Sequence, residues 1–436
     1  MSGAGAALAW VEGISVFWAV KERLMLTRLK TSALISCLMV AAACTAPTAG
    51  DGATRSRPGS DALQEGDEEN AGEGVDPGST LELGAVVPGT PTTIDVPADA
   101  LGFSVAVVGD SGAFVGIESL VAPSGASVVS RYTPAGGSGT LALGSRGVGA
   151  FSVPMTDATA TGRLEHGAWR LVVGGVVPDA SSPSPKGTAA PTGAAVRSPL
   201  RVTVQFQRSG DGAFHGGALD LHIYVPEGLR IHDPDPVHVV SAEGASADAS
   251  MNRRVSLFYT ELSRLFGIGQ GVVAYHRIDR RFATATSGDA RAELMAQASV
   301  SAPHALHVVL TNELSYGGGG EGLLGYSVGM PGAANLPSSV RSSVAVAIYD
   351  NGTAMNDAIT VLHEMGHFVG LMHSTEYDGT PDLLADTPTC PPPGKNCPDV
   401  NNLMAPDGPA KAALVSPSQI RVVRGSPIYR AIRAQR

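Results

Sequence analysis

The amino-acid sequence predicts a multidomain protein in which an all-β sandwich precedes an α/β (α+β) domain. Between residues 81 and 208, short apolar or alternating runs are broken by Gly, Pro, Asp and Ser, a spacing that is typical of a sandwich. From Leu219 onward, predicted strands alternate with segments of helical periodicity. The chain has 436 residues, including 54 Gly and 30 Pro, which gives enough length for more than one core and for many turns.

Composition narrows the function classes before any motif is considered. The formal net charge is −10, and aromatic residues make up only 5% of the chain. A nucleic-acid-binding protein carries a basic patch or stripe, so no nucleic-acid partner is expected. The four cysteines fall into two pairs, Cys37 with Cys44 and Cys390 with Cys397. This pattern is typical of an exported protein with one local disulfide rather than of a redox-active cytosolic enzyme.

Residues 1–43 carry a predicted export signal. Arg28 and Lys30 precede an apolar run of about 13 residues that ends in small residues, as a secretory signal requires. The residues before position 25 do not fit this pattern, because Glu12 interrupts their apolar stretch. Translation is therefore expected to begin at Met25.

The end of the signal, Val40-Ala41-Ala42-Ala43-Cys44, resembles a bacterial lipobox. This resemblance implies that Cys44 becomes acylated and that the protein contacts a membrane through an N-terminal lipid anchor. The expected location is the cell envelope, at the outer membrane or the cell surface. The alternative is ordinary cleavage near Ala43 and secretion, with Cys44 unmodified.

Residues 44–78 are predicted to form a flexible acidic tether. They are rich in Gly, Ser, Ala, Pro, Asp and Glu, and they contain almost no large apolar residues. Such a segment buries too little surface to offset its ordering entropy. The acidic run at residues 64–69 is interpreted as a solvated spacer rather than as an interaction site.

The sandwich is predicted over residues 79–210. The segment Gly167-Ala168-Trp169-Arg170-Leu171-Val172-Val173 resembles the G-x-W-x-L-x-V strand of small β-sandwiches that accompany secreted bacterial proteases. Residues 178–199 are interpreted as a long hairpin loop within the domain, with a domain boundary there as the alternative. Strands are expected at residues 93–96, 103–108, 140–143, 169–173 and 200–206.

The α/β domain is predicted over residues 217–436. Val255, Phe258 and Leu262 recur at helical spacing within a helix expected at residues 251–266. Any of Asn351, Thr353 or Asn356 could cap a later helix. A further helix is expected at residues 289–299, and strands are expected at residues 219–225, 271–276, 306–310 and 344–349.

The later helix carries the pattern H-E-x-x-H-x-x-G-x-x-H, formed by His363, Glu364, His367, Gly370 and His373. Two histidines four residues apart lie on one face of a helix and can share one small cation. Glu364 is placed to hold a zinc-bound water rather than the metal. Gly370 can adopt a positive φ that ends the helix, after which His373 reaches the same ion. The pattern predicts one catalytic zinc ion with Glu364 as the general base.

An extended zinc motif that ends an α/β half-domain resembles the metzincin metalloproteases. This resemblance implies a zinc endopeptidase that acts on protein or peptide substrates. It also implies a methionine turn beneath the metal, for which Met404 is the candidate. An edge strand within residues 323–349 is expected to pair with an extended peptide substrate.

The stretch between His373 and Met404 is similar to that of the pappalysin-type metzincins. It holds Asp386-Thr387-Pro388 followed by Cys390 and Cys397, for which we predict a disulfide that closes a short loop. Pro406 departs from that family, which usually has a tyrosine at this position. The matrixin-type subgroup is the runner-up, on the segment Ser416-Pro417-Ser418-Gln419-Ile420.

The remaining histidines and several aspartates have two interpretations each, as ligands of a site or as ordinary structural residues. His222, His276 and His307 are interpreted as packed or surface residues of strands rather than as ligands. An aspartate from residues 232–235 is a candidate to cap the zinc in a latent form. Calcium ligands or solvated loop carboxylates are the two interpretations of Asp378, Asp382 and Asp386.

Two function classes follow. The first is a monomeric zinc endopeptidase on a lipid anchor. The alternative is a surface binding or adhesion module whose zinc site is structural or vestigial. The complete set of His363, His367, His373 and Glu364 favours the endopeptidase.

Overall fold

The computed structural model describes thirteen segments of the chain, and all of them belong to a compact unit that includes Val75–Arg436. The predicted signal, the tether, Met25, Cys44, Cys390 and Cys397 lie outside the described residues. The domain boundaries predicted near residues 210 and 217 fall within this unit and stay predictions. In the described segments, no helix is long and apolar enough to cross a membrane. The segments are residues 80–129, 142–160, 162–178, 193–285, 287–302, 304–315, 322–328, 331–333, 336–350, 352–375, 381–389, 398–409 and 412–434.

Residues 80–208 are called the β-rich region, and the described residues of this range form ten strands and one short helix. All of the strand pairs within it are antiparallel. The strands follow the order β1-β10-β3-β7-β6-β4-β8-β2, with β5 paired to β4 and β9 paired to β8. The elements are β1 (Thr80–Val86), β2 (Thr92–Val96), β3 (Ala100–Val108), β4 (Phe114–Val121), β5 (Ser127–Val129), β6 (Ala142–Arg146), β7 (Val148–Val153), α1 (Asp157–Ala160), β8 (Gly167–Pro178), β9 (Gly193–Ala195) and β10 (Leu200–Arg208).

The sheet of the β-rich region curls over its own apolar core. Phe103 in β3 and Trp169 in β8 meet edge to face, with ring centroids 5.2 Å apart. In the strand order these two strands are four positions apart, which would separate them by about 19 Å in a flat sheet. Both halves of the sheet therefore contribute side chains to one core. Strand β6 pairs with both β4 and β7, and this pairing connects the two halves as one sheet. The division into two separate sheets of a sandwich therefore stays a prediction.

The prediction that residues 178–199 form a hairpin loop is wrong, because the strands on either side of them, β8 and β10, do not pair with each other. β8 pairs with β2, β4 and β9, whereas β10 pairs with β1 and β3. The sequence marked the intervening segment only by its Pro and Ser content. It did not reveal that Gly193–Ala195 returns as a strand beside β8.

The residues from Gly217 onward form the α/β region. Asp248 caps its first long helix, because the Asp248 side chain accepts a hydrogen bond from Met251 N. Two 3₁₀ turns cover Ala245–Ala247 and Arg280–Ala283. The elements are β11 (Gly217–Pro226), β12 (Leu229–Ile231), β13 (His238–Val240), α2 (Ala249–Phe266), β14 (Ile268–Ile278), β15 (Thr284–Ala285), α3 (Gly288–Met295), β16 (Ala305–Thr311), β17 (Glu313–Leu314), β18 (Gly325–Ser327), β19 (Val344–Ala347), α4 (Ala354–Val369), α5 (Pro417–Gly425) and β20 (Arg430–Ala431).

The main sheet of this region has the order β14-β11-β16-β19-β18, with β20 paired to β11. The first four strands are parallel, and β18 runs antiparallel to β19 at the end of the order. Alternate residues of β11 face opposite sides, so that Leu221 and Ile223 join the core beneath α2, α4 and α5 while Tyr224 joins a second cluster. Helix α4 therefore packs on this face of the main sheet through a shared apolar core.

Helix α3, which the sequence predicts over residues 289–299, is shorter than expected. It ends at Met295. Ser343 Oγ donates to the Met295 carbonyl oxygen at 2.8 Å. This side-chain hydrogen bond satisfies the carbonyl at the helix end.

Candidate metal centre

Helix α4 carries the first three residues of the zinc motif, and two side chains fix its first turn. Thr353 is the N-cap, because its side chain accepts a hydrogen bond from Asn356 N at 3.1 Å. Asp233 Oδ2, from a distant loop, accepts a hydrogen bond from Ala354 N at 2.8 Å. Both contacts satisfy N–H groups that the start of a helix leaves without intrahelical partners.

A buried ion pair holds α4 against α2. Arg254 Nε donates to Asp357 Oδ2 at 2.8 Å, and the two side chains are only 6% and 9% exposed. Burial raises the pKa of Asp357 to about 6, against the opposing effect of Arg254. Removing either partner would leave the other buried without its counter-ion, so the pair favours the packing of α4 against α2.

Helix α4 ends at a glycine in the left-handed conformation. Gly370 has φ +115°, and its N–H donates to the His367 carbonyl oxygen at 3.0 Å. Leu371 N then donates to the Gly366 carbonyl oxygen at 2.8 Å, which closes a Schellman-type turn. The chain leaves the helix in this turn and places His373 back against the helix.

The turn brings His363, His367 and His373 together. Their potential ligand atoms all lie within 4.8 Å of one another. Ring centroids are 4.8 Å apart for His363 and His367 and for His367 and His373, and 5.3 Å apart for His363 and His373. All three side chains are buried. Within the described part of the chain, this is the group of three or more His, Cys, Asp or Glu residues whose geometry suits a metal ion.

The protonation of two of these imidazoles follows from their hydrogen bonds. The Nδ1 atoms of His363 and His367 lie 2.7 Å from the carbonyl oxygens of Leu403 and Leu371, respectively. A carbonyl oxygen only accepts, so each Nδ1 carries the proton and each Nε2 presents a lone pair. Burial lowers the pKa of His363 to about 3 and that of His367 well below its usual value, which favours the neutral imidazoles.

This arrangement fits a zinc ion. The Nε2 atoms of His363 and His367 face each other at 3.2 Å, although neither carries a proton to share. Two nitrogens bound tetrahedrally to one zinc at ~2.0–2.1 Å lie roughly 3.3 Å apart. Outer hydrogen bonds to backbone carbonyls are also the usual way to orient imidazole ligands.

Glu364 follows His363 directly on α4 and is fully buried. Neither carboxylate oxygen has a hydrogen-bond partner among the described residues, and burial raises the pKa of Glu364 well above its usual value. Gly325 of β18 packs directly against it, because a Cβ on Gly325 would overlap the Glu364 carboxylate. Strand β18, the last strand in the described order of the main sheet, therefore passes the Glu364 carboxylate at close contact.

Met404 lies beneath the motif helix. A Cβ on Gly366 would be 2.5 Å from Met404 Sδ, so the absence of a side chain at Gly366 makes room for the methionine. Met404 is fully buried, and its N–H donates to Asn402 Oδ1 at 2.8 Å. This is the position at which the sequence predicts the methionine turn.

A polar network that the sequence did not reveal supports this turn. Asn402 and Gln419 exchange two side-chain amide hydrogen bonds of 3.1 Å. Gln419 also forms a capping box with Ser416 at the start of α5. Asp386 accepts from Ser416 Oγ and Ser418 N, each at 2.8 Å. The capping box is readable from Ser416 and Gln419, but its link to the turn depends on contacts across the fold.

Two of the aspartates predicted as calcium ligands and the candidate zinc cap Asp233 bind protein groups in the structure. Asp386 directs both oxygens to protein donors, and Asp382 Oδ1 accepts from Thr387 Oγ1 at 2.5 Å, while Asp378 lies outside the described residues. Asp233, considered above as a zinc cap, instead binds the start of α4. That contact is nine residues before His363, so Asp233 does not reach the metal centre here.

The three strand histidines are closer together than expected. His222 Nδ1 lies 2.8 Å from His276 Nε2, and Tyr224 Oη lies 3.1 Å from His307 Nδ1. The ring centroids of His222 and His307 are 5.1 Å apart. The register of β11, β14 and β16 produces this cluster, because residues 222 and 307 are direct partners. Pairing between strands distant in sequence has no local signal.

The C-terminal part of the chain is similar to a known enzyme family. Residues 306–433 match the family described as reprolysin-like metallopeptidases of family M12B. The matched segment contains the three histidines, Glu364 and Met404. This similarity supports a metallopeptidase domain in that segment. No curated protein matches the chain.

Two solved structures show a more distant likeness. Mirolysin in complex with compound 9 is 16% identical, over 48% of this chain and 91% of that one, with a TM-score of 0.31. The Bacillus subtilis protein YXIM is 10% identical, over 54% of this chain and 53% of that one, with a TM-score of 0.14. Both TM-scores are too low to establish a shared fold.

Proposed function

We propose that the protein is a zinc-dependent endopeptidase of the metzincin type, which hydrolyses peptide bonds of extracellular or envelope proteins. The observation that carries the proposal is the pair of unprotonated Nε2 atoms of His363 and His367, which lie 3.2 Å apart. Glu364 follows His363 directly on the same helix. The similarity of residues 306–433 to a metallopeptidase family supports it. Within the metzincins we favour the pappalysin-type subgroup, with the matrixin type as runner-up.

The metal would be held by His363, His367 and His373. Three neutral imidazoles leave the ion its full double charge and leave coordination positions for reactants. When bound, zinc supplies Lewis-acid polarisation of the scissile carbonyl and of the attacking water. The hydrogen bonds from His363 and His367 to backbone carbonyls hold the rings in the orientation that this requires.

Glu364 is the proton carrier in this proposal. One of its carboxylate oxygens accepts a proton from the attacking water and then returns it to the leaving nitrogen. Burial, which raises the pKa of Glu364, suits the second half of this transfer because the acid holds its proton until the nitrogen accepts it. The position of Glu364, next to the first histidine ligand on the same helix, keeps it beside the reacting atoms.

Substrate recognition is assigned to strand β18. Its residues pair with β19 on one side, and it stands last in the strand order of the main sheet. An extended peptide could add to such an edge through main-chain hydrogen bonds. The contact between Gly325 and Glu364 would then bring the bound peptide backbone past the general base.

The setting of the enzyme is also a proposal. The lipobox-like segment ending at Cys44 supports an exported lipoprotein in the cell envelope, and the pair Cys390 and Cys397 supports one local disulfide. Mass spectrometry of the mature protein tests both features. It should find an acylated N-terminal Cys44 and a Cys390–Cys397 crosslink. An unmodified N-terminus after Ala43 would contradict the anchor.

Zinc content and cleavage of an unfolded protein substrate test the function together. Wild type should hold one zinc ion and cleave the substrate. Glu364→Gln should keep the zinc ion and lose at least ~100-fold in turnover, because general acid–base catalysis contributes that much or more. Glu243→Gln, a change at an exposed turn residue, is the matched control and should cleave like wild type. Equal cleavage by wild type and Glu364→Gln would refute the endopeptidase assignment and leave the binding-module alternative.

A further inference from the structure

The turn that delivers the third histidine packs against the β-rich region. A Cβ on Gly370 would lie 3.3 Å from Met155 Cγ, 3.4 Å from Met155 Sδ and 3.8 Å from Ser152 Cβ. Ser152 belongs to β7, and Met155 follows that strand by two residues. Both side chains are buried. The outer surface of the Gly370 turn is therefore covered by side chains that come from more than 200 positions earlier in the chain.

The same part of the β-rich region also contacts the end of helix α5. A Cβ on Gly102 would overlap the Gly425 carbonyl oxygen, and a Cβ on Gly425 would overlap Pro154 Cδ. The two backbones meet here without any side chain between them. A side chain at either glycine would therefore force these segments apart.

Polar contacts extend this interface. Arg421 Nη1 in α5 donates to the Ala160 carbonyl oxygen at 2.6 Å. Gln207 Nε2 in β10 donates to the Tyr429 carbonyl oxygen at 2.9 Å, and this contact is buried. Leu383, ten residues after His373, packs against the core of the β-rich region. The segments on both sides of the methionine turn are thus in contact with the β-rich region.

From these contacts we infer that the β-rich region positions the metal centre, and that Met155 is a positioning residue for His373. Gly370 has no side chain of its own, so the path of the turn depends on its main-chain hydrogen bonds and on what packs against its outer surface. Met155 makes the nearest contacts on that surface, and Ser152 lies slightly farther away. The inference rests on the proposed binding of zinc by the three histidines, and it assigns the β-rich region a role that a loosely attached module would not have.

Truncation of Met155 should weaken zinc binding. Met155→Ala leaves a cavity behind the turn, and the turn can relax into it. His373 then loses its fixed orientation, whereas His363 and His367 stay on the rigid helix. Changes in residues that orient metal ligands typically cost ~10–100-fold in affinity, so we expect the zinc dissociation constant to rise about tenfold.

The test compares full-chain variants by zinc affinity, measured by competition with a chromophoric chelator, and by the visible spectrum of the cobalt-substituted protein. Met155→Leu preserves side-chain volume and should restore both values. Leu120→Ala is the matched control, because Leu120 is fully buried in β4, and among the described strands β4 pairs with β5, β6 and β8 rather than with the strand that precedes Met155. It should lower the unfolding temperature while leaving the zinc dissociation constant and the cobalt spectrum unchanged.

The outcomes separate the inference from the proposed function. Weaker zinc binding and an altered cobalt spectrum in Met155→Ala, with neither in Leu120→Ala, support the inference. Unchanged values in Met155→Ala, or equal changes in both variants, overturn it. If Met155→Ala does not fold, Met155→Val carries the same comparison. Normal zinc binding without peptide cleavage by wild type would instead contradict only the proposed function.

Discussion

Asn402 and Gln419 form a closed pair of side-chain amide hydrogen bonds, each 3.1 Å long, between the methionine turn and helix α5. Asn402 Oδ1 also accepts from Met404 N at 2.8 Å, and Gln419 Oε1 accepts from Ser416 N at 2.9 Å. Both side chains are buried. Met404, which packs against the motif helix, is therefore connected to the start of α5 through the side-chain amides of Asn402 and Gln419.

We predict that Gln419→Ala destabilises the protein by about 1–3 kcal/mol, because it leaves the buried Nδ2 of Asn402 without its acceptor and Ser416 N without Gln419 Oε1. Urea unfolding of wild type and variant measures the difference. Gln270→Ala, at an exposed position of β14, is the control and should unfold like wild type. A Gln419→Ala midpoint equal to that of wild type would show that the pair contributes nothing to stability.

Substitution of Asp233 tests whether this residue stabilises the start of helix α4 or inhibits the enzyme by capping the zinc. Its carboxylate accepts from Ala354 N, and this hydrogen bond is the main reason that the pKa of Asp233 lies below its usual value. Asp233→Ala should cost about 1 kcal/mol of unfolding free energy, as loss of a helix cap does, without raising peptidase activity. Asp235→Ala, in the same loop, should leave stability unchanged. Increased activity of Asp233→Ala would instead indicate an inhibitory aspartate.

The histidine cluster of the main sheet predicts a dependence of stability on pH. Burial lowers the pKa of His307 from 6.5 to about 4, with a further lowering by His222. Because the folded state takes up this proton less readily than the unfolded state, the stability that depends on neutral His307 is complete above pH 6.5. It is lost as the pH falls towards about 4. The loss attributable to His307 amounts to roughly 3 kcal/mol.

His307→Gln should therefore reduce the loss of unfolding free energy between pH 7 and pH 4, measured by urea unfolding at each pH. Val309→Ala is the control, since Val309 lies on the same strand, is fully buried and does not titrate. It should lower stability by a similar amount at every pH. An identical pH dependence in wild type and His307→Gln would refute the role of this imidazole.

Features that depend on local chemistry were predictable from the sequence, and features that depend on contacts across the fold were not. The four-residue spacing of His363 and His367 and the glycine at position 370 determine a helix face and its end. Thr353 was one of three cap candidates, since Asn and Thr side chains can all cap a helix. The contact of Met155 with Gly370 has no sequence signal, because it depends on how the β-rich region packs against the metal centre.

Strand register sets a similar limit. The cluster of His222, His276 and His307 appears only when three strands are aligned, and a shift of one residue would send the side chains to opposite faces. Strand β18 is three residues long, which is too short to show a period. Only its general location between residues 323 and 349 could be expected.

The zinc K-edge absorption spectrum of the full chain tests the central claim most directly, because it reports the atoms bound to the metal. We predict one zinc ion per chain with three imidazole nitrogens at ~2.0–2.1 Å, completed by oxygen. His373→Ala should reduce the imidazole count to two. A spectrum with sulfur at ~2.3 Å, or one that is unchanged in His373→Ala, would contradict a zinc centre built from His363, His367 and His373.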